Sequence, residues 1–149
     1  MELFDVFLRL TAATLAGCAV GLNRDIHAKQ TGVRTLGLVG LGSALGVMAA
    51  MTVGGPGDAT RAMQGILTGI GFLGAGVIVR PTAGFHVHGL TTAACTWFTA
   101  CVGMVCAVAA WPVLGIGLLL AFVLLIFGGR FEKLLRPWLR RGEDENERL

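Results

Sequence analysis

A chain of 149 residues has the length of one domain, and this one is 54% hydrophobic, 14% charged and +0.74 in mean hydropathy. No water-soluble core of this size hides so much apolar sequence, so composition excludes an ordinary soluble domain and points to a bilayer. The formal net charge of +3 calls for no nucleic-acid partner, because membrane topology accounts for where the basic residues fall.

Charge-free runs long enough to cross hydrocarbon, roughly 17–25 residues each, follow one another along the chain. The first is Leu3–Leu22, with Asp5 and Arg9 in its opening turns. Glu2 and Asp5 precede Arg9, so the basic n-region of a cleavable signal peptide is missing. Asp5 and Arg9 are four residues apart, the spacing of a local ion pair on one helix face. The second run is Val33–Val53, the third Ala62–Val79, the fourth Gly89–Ala109 and the fifth Pro112–Gly128. The last two share one uncharged stretch, which could also be read as a re-entrant hairpin. Its length and the helix-starting Pro112 favour two passes. These runs predict an all-α, polytopic membrane helix bundle of about five transmembrane helices. Residues 1–129 form the transmembrane domain, and residues 130–149 a basic juxtamembrane segment and tail.

Orientation follows from the Lys and Arg residues. Arg24, Lys29, Arg34, Arg80 and six more after Gly129 fall on one side of a five-span topology, against Arg9 and Arg61 on the other. The positive-inside rule places the N-terminus outside and the C-terminus in the cytoplasm. In the segment Arg130–Arg141, Phe131, Leu134, Leu135 and Trp138 recur at helical spacing among basic residues. This pattern suits a short interfacial helix that kinks or ends near Pro137. Gly142–Leu149 is polar and acidic and is expected to be disordered.

The third run is the glycine-richest. Gly65, Gly69, Gly71, Gly74 and Gly76 fall within twelve residues. In lipid a glycine lets a neighbouring backbone come close. At about 100° per residue, Gly65, Gly69 and Gly76 face one way and Gly71 and Gly74 the other. The helix is therefore expected between two partners, near the centre of the bundle. Small-xxx-small spacings at Gly17/Gly21, Gly42/Gly46 and Gly65/Gly69 argue for the same close packing.

Chemical motifs are sparse, and the reading is of a protein that is not an enzyme, with no cofactor and no metal site. Gly69-x-Gly71-x-x-Gly74 matches a dinucleotide fingerprint in letters alone, because it lies inside a span and no acid follows before Glu132. No HExxH, GxSxG or P-loop is present. His86 and His88 lack further metal ligands nearby. Cys18, Cys95, Cys101 and Cys106 sit in spans without a CxxC pair and read as small hydrophobes. Thr91, Thr92, Cys95, Thr96, Thr99, Gly103 and Cys106 gather on one face of the fourth run. They act there either as interhelical glue with self-satisfied hydroxyls or as a polar seam lining a cavity. Arg34 at the mouth of the second span and Arg80 at the inner end of the third form a basic layer. That layer either anchors topology or meets Asp25, helix carbonyls or an anion. A magnesium carrier meets an objection, since dehydrating Mg²⁺ calls for carboxylates or many oxygens and Asp5 is the sole acid in a span.

Three ordered stretches, GLNRDIHAKQTGVRTLGLVGLGSAL from Gly21, GILTGIGFLGAGVIVR from Gly65 and HGLTTAACTW from His88, closely resemble the MgtC/SapB family of bacterial inner-membrane proteins. The resemblance covers about residues 15–105. In the family's GLERE pattern acids flank the first arginine; here Asn23 and Asp25 flank Arg24, so one of those positions is neutral. The chain is expected to lack the cytoplasmic C-terminal domain of the longer, virulence-associated members. The resemblance implies five spans, a role in adaptation to low magnesium and, in some pathogens, survival inside host cells. It also implies action by binding other membrane proteins, including the F-type ATP synthase. By residue match, Arg24, Lys29, Arg34, Thr35, Gly69, Gly71, Gly74, Gly76, Arg80, Gly89, Thr91 and Thr92 carry the motifs, with Asp25 beside them. The resulting expectation is a non-enzymatic regulatory or interaction module, homo-oligomeric in the bilayer. The competing one is a small-solute or ion transporter or channel with a basic cytoplasmic entrance.

Overall fold

A computed structural model describes residues 2–54, 56–78 and 89–146. They form five helices: α1 (Leu3–Ile26), α2 (Val33–Val53), α3 (Pro56–Val77), α4 (Leu90–Ala107) and α5 (Trp111–Asn146). Arg80, His86 and His88 lie outside the described residues. α1, α2, α4 and the start of α5's helix are each apolar enough and long enough to span a membrane. α3 is not one of these four, because Asp58, Arg61 and Gln64 stand in its first half. Asp58 pairs with Arg61 there.

The chain divides into two compact units, Met1–Gly115 and Ile116–Leu149. The second is the body of α5. Its stretch through Gly129 is apolar and exposed. The helix passes Pro137 without a break and reaches Asn146, so the tail expected to be disordered from Gly142 is helical for its first residues.

In the first unit α1, α2 and α4 pack mutually, and α3 lies against α2 and α4. The core is made of small residues: Ala13, Ala16, Val20, Ala44, Val47, Ala100, Cys106 and Ala107 are buried, with Leu36 the largest side chain fully enclosed. The bulky apolar residues, among them Phe4, Phe7, Leu15, Leu38, Phe72 and Trp97, point outward. Small inside and large outside is the pattern of helices that meet in lipid, where tight backbone approach replaces the hydrophobic drive.

Glycines set the closest approaches. A Cβ on Gly17 would strike the Leu36 carbonyl, and one on Gly40 would lie 2.6 Å from the Ala13 oxygen. One on Gly103 would strike the Gly40 carbonyl. Gly17, Gly40 and Gly103 thus bring α1, α2 and α4 into backbone contact. The expectation for α3 needs correction. Among the described residues Gly65, Gly69, Gly71 and Gly76 face open space, and of the five only Gly74 meets a neighbour, Ala93 at 3.6 Å. Within one chain α3 is peripheral, and the glycine-dense run does not sit at the centre. Gly71→Ala is accordingly expected to leave unfolding of the detergent-solubilised monomer unchanged or to raise it by up to about 1 kcal/mol, the helix-propensity gain. A clear loss of stability would return Gly71 to an intrachain contact.

Loops join the helices economically. Val33 opens α2 by donating its N–H to Asp25 Oδ2 at 2.9 Å, so the end of α1 caps the next helix. At the other end of the bundle the expected pair forms, Arg9 to Asp5 at 2.8 Å. Arg9 Nη1 also donates to the Ala107 carbonyl at 2.6 Å, placing a cation on the C-terminus of α4, where the helix dipole favours it.

Candidate functional site

The end of α3 touches the start of α4 at Gly89, and the first and third motifs meet where α1 ends and α2 and α4 begin. Gly21 makes this close: a Cβ there would lie 2.6 Å from Val33 Cα. Residue 24, one turn on, is then carried inward. Arg24 is 5% exposed, and its Nη2 donates to Thr92 Oγ1 at 2.7 Å. Its Nε has no hydrogen-bond partner among the described residues. Thr92 is 3% exposed and lies in the first turn of α4. Thr31, in the turn between α1 and α2, is also buried, and its hydroxyl has no hydrogen-bond partner among the described residues.

The Asp25 carboxylate accepts from the Val33 N–H, and Gly32 leaves room for it. Lys29 is exposed, and its backbone N–H closes α1 on the Arg24 carbonyl. α4 begins after Gly89, whose φ of 95° is left-handed and whose missing side chain makes room for the Val77 carbonyl of α3. The N-cap residue of α4, Gly89, supplies no side-chain cap.

Of the residues singled out in the sequence, the structure joins Arg24 to Thr92 and sets Asp25 beside them as the α2 cap. Thr91 stays exposed on the first turn of α4. Arg34 and Thr35 are exposed and line an open groove of about 720 Å³ between α2 and α3, with Gly69 on its far wall. Asp25 bonds the Val33 N–H and not the Arg34 guanidinium. The buried arginine is therefore Arg24, a residue that sequence reading placed in a polar connection after Leu22. A signal for it existed. Ala13, Gly17, Val20, Gly21 and Arg24 continue one helical face at i, i+3 and i+4.

The threonine face of α4 resolves toward self-satisfaction. Thr96 Oγ1 donates to the Thr92 carbonyl at 3.0 Å and Thr99 Oγ1 to the Cys95 carbonyl at 2.8 Å. Both hydroxyls are buried against neighbouring helices. No group of three or more His, Cys, Asp or Glu residues among the described residues is placed to hold a metal.

Thr92→Val removes the one hydroxyl that meets the Arg24 guanidinium. Leaving that buried donor unpaired is expected to lower unfolding stability by about 1–3 kcal/mol, while Thr92→Ser retains it. Chemical denaturation of the purified protein in detergent reads both, and equal stability of the valine variant would deny the bond any weight.

A buried arginine tying the first and fourth helices, a core of small residues and an apolar outer surface define a multi-pass, all-helical membrane protein. The chain belongs to the MgtC family, whose pattern it matches over residues 10–134. It is 38% identical to Protein SrpB of Synechococcus elongatus over 89% of this chain and 79% of that one. It is 42% identical to Protein MgtC of Salmonella typhimurium over 71% of this chain and 45% of that one. Protein MgtC of Brucella abortus is also 42% identical, over 65% of this chain and 40% of that one. The chain thus spans less than half the length of the MgtC relatives and most of SrpB. No solved structure matches it.

Proposed function

We propose that this protein is a non-enzymatic regulatory module of the bacterial inner membrane that supports adaptation to low magnesium by binding other membrane proteins. The observation that carries the reading is the extent of the family match, which takes in α2, α3, α4 and most of α1. A homo-oligomer fits the same reading. Gly65, Gly69, Gly71 and Gly76 leave one helix open to backbone contact with another, which glycines in lipid commonly serve. The F-type ATP synthase is the partner that the family resemblance proposes.

A gene deletion in the native host, grown in limiting magnesium, tests the function. Growth restored by the wild-type gene supports it, and deletion without effect at any magnesium level removes it. Affinity capture from native membranes, with mass spectrometry of what is retained, tests the partner. Ion flux by the purified protein in liposomes would instead establish the transporter reading.

A further inference from the structure

The geometry points to an oxyanion site at Arg24, one that takes a phosphate group from either a lipid headgroup or free phosphate.

The argument begins with charge. A guanidinium is always protonated and carries five donors. Burying such a cation is costly unless an anion compensates it. Arg24 is 5% exposed, with one bond to a neutral hydroxyl and an Nε that meets nothing among the described residues. The acids of the first unit are engaged elsewhere. Asp5 holds Arg9, Asp25 holds the Val33 N–H, and Asp58 pairs with Arg61. Glu2 precedes α1, at the opposite end of that helix from Arg24. The sequence from Val79 to His88 contains no Asp or Glu, so the chain leading into α4 brings no carboxylate either.

The second observation is where the guanidinium lies. It bonds Thr92 in the first turn of α4, a helix of 18 residues whose N-cap residue, Gly89, has no side chain to cap it. The first N–H groups of a helix lack acceptors within it, and the helix dipole makes that end positive. A cation is the wrong partner for it. The closing carbonyls of α1 offset part of this, since Arg24 is in the last turn of that helix. They are already taken in part: the Arg24 carbonyl accepts from His27 and Lys29, and the Asp25 carbonyl from Ala28. A buried cation facing a positive helix end is completed by an anion that accepts from both. Phosphate oxygens match the guanidinium fork and suit helix N–H groups. Leu22 and Ile26 near the end of α1 and Leu90 at the start of α4 are exposed, so this end of the bundle offers apolar surface to lipid chains.

The test uses the full chain, purified in a phosphate-free detergent and stripped of lipid. Its thermal midpoint is followed on titration with sodium phosphate, with phosphatidylglycerol in mixed micelles, and with sodium chloride at matched ionic strength. A saturable rise of about 3 °C or more is expected with one of the first two and not with chloride. A rise with phosphate alone identifies the free anion, and a rise only with phosphatidylglycerol the headgroup. Arg24→Gln is expected to abolish the response, and Arg61→Gln, which carries the same charge change on α3, to retain it. Should Arg24→Gln fail to fold, Arg24→Lys serves: it keeps the charge, loses the fork and is expected to weaken binding at least tenfold. No saturable rise, an equal rise with chloride, or an undiminished response in the Arg24 variant that folds overturns the site.

Discussion

Gly103→Val is expected to cost at least about 3 kcal/mol of stability and to broaden or abolish cooperative unfolding in detergent. Gly103 faces the Gly40 carbonyl, with the Gly40 carbon and Ser43 Cβ each 3.0 Å from where a Cβ would stand. These atoms are backbone or the root of a side chain, so no rotamer change relieves the overlap. The whole of α2 must move off α4. Gly40 has no room to yield, since it is pressed on its other side against the Ala13 oxygen of α1. A β-branched side chain therefore pushes apart three helices at once. Gly42, two residues along on α2, faces open space, and Gly42→Ala is the matched control, expected within about 1 kcal/mol of wild type. Denaturant unfolding followed by circular dichroism measures both. Equal midpoints for Gly103→Val and wild type would show that α2 and α4 do not touch through their backbones.

Gly89→Ala is expected to cost about 3 kcal/mol by two additive routes: roughly 1–2 kcal/mol for an L-residue in the left-handed region, and overlap with a neighbour. Gly89 has φ of 95°, and its Cβ would strike the Val77 carbonyl at the end of α3. Because α4 starts here, the strain falls on the turn that carries Thr92. The Arg24–Thr92 bond should loosen as the fold weakens, which Trp97 fluorescence, one helix turn or so further along α4, can report. Gly57→Ala, at an open position of α3, supplies the comparison. Wild-type stability in Gly89→Ala would mean that α4 does not need its left-handed start.

Much of the architecture is legible in one dimension because lipid imposes simple rules. Val33–Val53 is the same segment in the sequence reading and in the structure, since an apolar run charged only at Arg34, its second residue, and flanked by Gly32 and Gly54 leaves little freedom at either end. The fourth helix lies within one or two residues of its expected bounds, with a glycine before it and a turn through Ala109 after it. The Asp5–Arg9 pair forms because four-residue spacing on a helix is a local fact. α1 runs on to Ile26, past the expected end at Leu22, because a polar residue does not stop a helix whose face continues into packing.

Composition and periodicity thus determined by themselves that the chain is helical, that its surface is apolar, and that glycines govern its contacts. Which glycines do so was decided only in three dimensions. Gly17, Gly40 and Gly103 are scattered over three helices, and their carbonyl contacts arise from the crossing of those helices. The denser row from Gly65 to Gly76 is left facing outward by α3's place beside α2 and α4. The same holds for the arginines. Arg24, Arg34 and Arg80 look alike in sequence, each polar and next to a span. Burial of Arg24 depends on how closely Gly21 lets α1 approach α2 and on where Thr92 lies, 68 residues away. Periodicity records the face a residue occupies on its own helix, whereas the partner on that face is a property of the assembled bundle.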